Sequence, residues 1–165
     1  MQKVYFILIL LATFLISCNN QIQSMTAEFD TLMKQHEKLE AEHKAFEADH
    51  KKMMAEHEML STDVSHLKMQ DPTLLKDLAS HGVILKRHQG IIESHMKIMA
   101  DHDKLKFDFN NLSNDEVIAE IKEMKKGHKI MEDQHASMEK DHAMMKKQHA
   151  EMKKIYEKEM KAEIK

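Results

Sequence analysis

Twelve histidines recur at seven-residue intervals along this chain of 165 residues. They form three sets of four: His36, His43, His50 and His57; His81, His88, His95 and His102; His128, His135, His142 and His149. Seven residues is close to two turns of α-helix, so each set lines one helix face. A neutral imidazole offers one donor and one acceptor, and either ring nitrogen can bind a transition metal. Three rows of imidazoles meeting on one axis would make sites of three nitrogens. The fourth coordination position of zinc would remain for water or an anion. Cu(II), Ni(II) and Co(II) also accept imidazole. Zinc and copper are the leading candidates for a transition-metal cofactor.

The elements that must position these rings are legible in the flanking residues. Charged residues make up 32% of the chain, with 3 Gly and 1 Pro, a composition suited to long helices. In the first segment, about 25–70, the a positions are Phe29, the four His and Val64. The d positions are Leu32, Leu39, Phe46, Met53, Leu60 and Leu67. That is a coiled-coil seam over six heptads. Asp71-Pro72 ends it and can cap a second helix, about 72–110. There His takes d, while Leu78, Leu85, Ile92, Met99 and Lys106 take a; Ile84, Ile91, Ile98 and Leu105 broaden the apolar stripe. Ser113 and Glu116 form a capping box, with Leu112 and Val117 as a hydrophobic staple, opening a third helix over 113–163. Its a series is Ile121, the last four His and Tyr156. Its d series is Met124, Met131, Met138, Met145 and Met152.

The swap of His from a to d is expected where neighbouring helices run antiparallel. The numbering agrees. His36 with His102, His43 with His95, His50 with His88 and His57 with His81 share one midpoint, residue 69, just before the Asp71-Pro72 break. The pairs joining the second set to the third share a midpoint at residue 115, beside the Ser113 cap. The fold expected is all-α: an antiparallel three-helix coiled-coil bundle with four stacked layers of three histidines. Successive layers lie roughly 10 Å apart by helix rise. Apolar layers such as Leu39/Met99/Met131 and Phe46/Ile92/Met138 separate them. Phe29/Phe109/Ile121 and Val64/Leu74/Tyr156 close the ends.

Other readings of the same residues stand beside the metal. A metal-free core would bond imidazoles to one another, to water or to anions, and would make stability depend on pH. Duplication of a seven-residue unit would explain the recurrence, though not why burial is tolerated. Glu42, Asp49, Glu56, Asp101 and Asp141, and Gln35, Gln134 and Gln148, directly precede a His and are candidate acceptors for the second ring nitrogen. The d-position Met are core filler by their spacing. Thioether also suits Cu(I), but these Met lie in alternate layers. His66 falls at c, on the outer face. Gly82, Gly90 and Gly127 lie inside helices next to or near a His.

The first eighteen residues read separately. MQK is followed by the thirteen-residue apolar run VYFILILLATFLI, short for a membrane span and right for a signal-peptide core. Leu15-Ile16-Ser17-Cys18 resembles the lipobox of bacterial lipoproteins. That resemblance, confined to residues 1–18, implies a signal peptide over 1–17 and lipidation of Cys18, the only Cys. It further implies a membrane partner through the lipid and a place in the bacterial cell envelope. Residues 18–24 would then be the lipidated Cys and a polar tether, and 25–165 the coiled-coil domain.

Lysines alternate with glutamates instead of clustering, and net charge is -3, so nucleic-acid binding is not expected. No phosphate-cradling glycine loop, serine nucleophile motif or dinucleotide fingerprint occurs. The one candidate chemistry is a metal hydroxide on a histidine triad. A narrow, closed seam offers it no substrate opening, so the chain is not expected to be an enzyme. The expected function is a membrane-anchored lipoprotein that binds, stores or buffers transition metal. The alternative is a structural or interaction lipoprotein with a metal-free, pH-sensitive histidine core.

Overall fold

The computed structural model describes the backbone of residues 2–67 and 71–163, and the side chains of residues 22–67 and 71–162. Three long helices follow in order: α1 (Gln2–Ser65), α2 (Pro72–Asp108) and α3 (Asn114–Glu163), with a 3-10 turn over Phe109–Asn111 between the last two. The described residues contain no strand. α1 begins before the expected residue 25. NNQIQS, read as a tether, holds no Gly or Pro to break a helix, and its backbone continues α1.

The helix ends lie where the cap chemistry puts them. Asp71 accepts a hydrogen bond from the Thr73 amide at 2.8 Å, and Pro72 is the first residue of α2. Ser113 caps α3: its amide donates to Glu116 Oε2 at 2.7 Å, and the Glu116 amide donates back to Ser113 Oγ at 3.4 Å. Two further boundaries differ from expectation. α1 stops at Ser65, short of residue 70, because its last turn tightens: the His66 and Leu67 amides bond to Asp63 and Val64, three residues back. α2 gives way to the 3-10 turn at Phe109, which tucks the Phe109 ring onto Phe29 at 3.9 Å between centroids.

Packing forms one continuous seam. Through the four histidine layers residue numbers rise along α1 and α3 and fall along α2. Leu39/Met99/Met131 and Met53/Leu85/Met145 fill the spaces between triads. Phe29, Leu32, Leu105, Val117, Ile121 and Met124 close one end, and Leu60, Val64, Leu74, Leu78 and Met152 the other. Leu105, not Lys106, enters the core at the end of α2, since burying an ammonium there would cost more than a small rotation of the stripe. Phe46 is only half-buried and stacks on the His135 ring at 4.6 Å, leaving Ile92 and Met138 to fill that layer.

Candidate metal centres

Four triads assemble in the core: His36/His102/His128, His43/His95/His135, His50/His88/His142 and His57/His81/His149, here layers 1 to 4. In each, one ligand nitrogen per ring lies within 4.8 Å of the other two. All twelve rings are buried except His57, which is half-buried. The remaining histidine, His66, is exposed just beyond α1. The Met at d are buried filler: Met131, Met138 and Met145 lie between triads, and Met152 lies in the apolar end beyond layer 4.

The ring geometry repeats from layer to layer. The α1 and α3 rings are near parallel, with interplanar angles of 15°, 27°, 11° and 25°. The α2 ring stands across them, 54° to 74° from its α3 neighbour. The α2 and α3 rings are also the closest pair in each layer, 4.9 to 5.1 Å between centroids. Three nitrogens at the 4.8 Å limit would sit about 2.8 Å from their centre, against about 2.0–2.1 Å in a zinc–imidazole bond. An inward shift of about 0.7 Å per ring closes that gap, so the triads fit a metal ion of this kind.

Layer 3 carries the sharpest chemistry. His88 Nε2 lies 3.0 Å from Asp141 Oδ2, and His142 Nδ1 lies 3.0 Å from Asp49 Oδ2. Ionised aspartates only accept, so both ring nitrogens donate. Each neutral ring then points its lone pair inward. Those two inner nitrogens, His88 Nδ1 and His142 Nε2, are 3.2 Å apart. Two lone pairs at that distance repel unless a cation lies between them, either a proton on one ring or a metal. Two imidazoles bound to one tetrahedral zinc are separated by about 3.3 Å, given the usual bond length. Burial opposes a proton on His88. It pushes His50 down to about 4, helped by its two ring neighbours, and it holds His88 below its ordinary value although the Asp141 bond pulls the other way. The aspartates are themselves held: Arg87 reaches Asp141 at 2.5 Å and Lys146 reaches Asp49 at 2.9 Å.

The other layers are less fully braced. In layers 2 and 4 an amide replaces the carboxylate: His95 Nε2 meets Gln134 Oε1 at 2.6 Å, and His81 Nε2 meets Gln148 Oε1 at 2.8 Å. His95 Nδ1 faces His135 Nε2 at 3.2 Å. In layer 1 the nearest carboxylate is Asp103, 3.4 Å from His36 Nε2 and 59% exposed. Fourteen buried ring nitrogens across the four layers have no hydrogen-bond partner among the described residues. Each would cost on the order of 1–3 kcal/mol if left so, and together they would exceed the roughly 5–15 kcal/mol of net stability a domain has.

The acceptors belong to neighbouring helices. Asp141, Gln134 and Gln148 precede the α3 histidines yet serve the α2 rings, and Asp49 precedes an α1 histidine yet serves α3. Spacing identified these four side chains but not whom they serve. Gln35, Glu42, Glu56 and Asp101 make no such hydrogen bond in the described residues. Asp103, after His102 instead of before it, was missed; its one sequence signal is a charged residue at the seam's rim.

Burial lowers the proton affinity of most of the rings. His102, His128, His135 and His149 are also pushed down to about 4, first by desolvation and then by adjacent rings. His43, His57 and His95 are lowered for the same leading reason. These lowered rings are therefore held neutral at ordinary pH, the form a metal requires.

Fold and site together define a three-helix bundle whose core holds four histidine triads within metal-binding distance. No family model, no curated protein and no solved structure matches the chain. Among the described residues no helix is long and apolar enough to cross a membrane. Cys18 and the lipobox side chains lie outside the described side chains.

Proposed function

We propose that this chain is a lipid-tethered envelope protein that binds, stores or buffers transition metal, zinc or copper foremost, through its four core triads. The lone-pair opposition of His88 Nδ1 and His142 Nε2 at 3.2 Å carries this reading, because both outer nitrogens are already committed to aspartates. A divalent cation relieves that opposition and binds the inward nitrogens directly. A structural lipoprotein with a metal-free core would need a buried proton in layer 3 and partners for the orphaned nitrogens elsewhere. The role is binding and not catalysis: the triads sit in a packed seam, and three of the four have an Asp or Gln over the α2 ring. Membrane attachment rests on the lipobox resemblance of Leu15-Ile16-Ser17-Cys18.

The test is elemental analysis of the full-length protein purified from detergent-solubilised membranes. The expected result is three to four bound metal equivalents by the triad count, removed by chelator with a fall in Tm. Protein that takes up no zinc, copper or nickel on dialysis overturns the metal reading. Recovery of a C18S variant in the soluble fraction, with the parent in the membrane, checks the tether.

A further inference from the structure

The four triads differ at one position of α3, the residue before its histidine. In layers 2, 3 and 4 this is Gln134, Asp141 and Gln148, and each hydrogen-bonds the outer nitrogen of the α2 ring. In layer 1 it is Gly127. A Cβ at Gly127 would lie 3.1 Å from His102 Cε1, 3.1 Å from His102 Nε2 and 3.1 Å from Ile98 Cγ2. The His102 ring thus occupies the space a side chain would fill, and among the described residues no hydrogen bond is made to its outer nitrogen. Its inner nitrogen, Nδ1, is buried without a partner, and the residue as a whole is 8% exposed.

A cavity of about 520 Å³ opens on this notch, lined in part by His102, Gly127, Asp101 and Glu123. Asp108 and Glu120 also line it, against Lys104 and Lys126, so its walls are net acidic and favour cations. Cavities border other triads as well, at His142 and at His149. There the rings are closed off: Asp49, itself held by Lys146, covers His142 Nδ1, and both nitrogens of His149 are buried. Gly82, beside His57 in layer 4, is a looser case. A Cβ there would be 3.5 Å from His57 Nε2, an ordinary contact, and Gln148 covers the α2 ring of that layer.

We infer that His36/His102/His128 is the exchange site of the bundle, the triad at which metal passes between solvent and core, because it is the layer whose α2 ring has no Gln or Asp of α3 over its outer nitrogen. This rests on the metal-binding reading. An outer-shell acceptor strengthens metal affinity about 10–100-fold, so a layer whose α2 ring has none releases its ion faster by a similar factor.

Release of zinc from the loaded full-length protein into excess chromophoric chelator reads this directly. The expected trace has a fast phase of one equivalent, about 10–100-fold faster than the rest. G127Q, which gives layer 1 the residue of layers 2 and 4, should abolish the fast phase. Q134G, which copies the notch into layer 2, should add a second fast equivalent, and it serves as the test if G127Q fails to fold. Zinc bound but released in one slow phase overturns the exchange site alone. So does an unchanged fast amplitude in G127Q, or a Q134G protein that gains none. Protein that binds no zinc at equilibrium overturns the metal reading as well, and is seen before any release is measured.

Discussion

Layer 3 and layer 1 hold three rings at matching levels, with α1–α3 interplanar angles of 11° and 15° and α2–α3 centroid distances of 5.1 Å in both, though the α2 ring is turned 54° from its α3 neighbour in one and 74° in the other. What differs stands behind the rings. In layer 3 two aspartates fix the tautomers of His88 and His142, and Arg87 and Lys146 fix the aspartates. In layer 1 a glycine and an acidic cavity replace the brace on the α2 ring, the α3 ring His128 has no hydrogen-bond partner, and the nearest carboxylate contact is the loose one from His36 to exposed Asp103. The heptad dictates where rings meet; residues beside the heptad dictate how firmly each ring is oriented and whether solvent reaches it.

Acid should expose this difference most strongly in the metal-free protein. An unfolded histidine takes up a proton below its ordinary 6.5, while His102 and His128 in layer 1 and His50 in layer 3 stay neutral until about 4. The unfolded state then binds more protons, so stability falls as pH drops from 6.5 toward 4 and is unaffected above 6.5. Each such ring contributes a slope of up to about 1.4 kcal/mol per pH unit. Layer 1 has two rings at about 4, whereas the Asp141 bond partly protects His88 in layer 3. Urea midpoints measured at pH 7.5, 6 and 5 should fall steeply. H102L/H128L should flatten the profile more than H50L/H88L. A midpoint constant across that range would mean the rings are not buried as described.

A smaller effect follows from the carboxylates. With His36, His43 and His57 each replaced by Leu, layer 3 is left as the one complete triad, and zinc affinity reports on it alone. D141A should weaken binding about 10–100-fold, because His88 loses the acceptor that orients it. D141N keeps an oxygen to accept the hydrogen bond and should cost less. In the mirror background, with His43, His50 and His57 replaced, D103A should cost less than D141A, since Asp103 is farther from its ring and mostly hydrated. Competitive titration against a chelator of known affinity measures all three. Equal losses in the two layers would erase the distinction between a braced and an open triad.

The heptad positions placed all twelve rings at the correct level, because a period of seven on a helix leaves little freedom once two caps set the turns. Asp71-Pro72 and Ser113-Glu116 set them. Phe46 escaped the pattern because a d-position ring can rotate out to stack on an imidazole, which spacing does not encode. The acceptors were legible as residue types and not as pairs: which helix Asp141 serves depends on the handed order of three helices around the axis. Gly127 was visible as an oddity, but its meaning required the His102 ring to be seen occupying the missing side chain's place.

The mildest effect comes from the glycines themselves. Gly90 lies in α2 near layer 3, and a Cβ there would meet nothing within 4 Å. Its backbone freedom serves no contact, so G90A should stabilise the bundle by up to about 1 kcal/mol through helix propensity alone. Gly127 carries the same helix cost, but a Cβ there would press on the His102 ring and Ile98 at 3.1 Å. G127A should therefore gain less than G90A, the propensity gain being offset by the shift His102 must make. Thermal melts of the two variants at pH 7.5, with metal removed, give the comparison. If G127A gains as much as G90A, the His102 ring yields freely, the notch is not what holds it in place, and layer 1 can be closed as easily as layers 2 to 4.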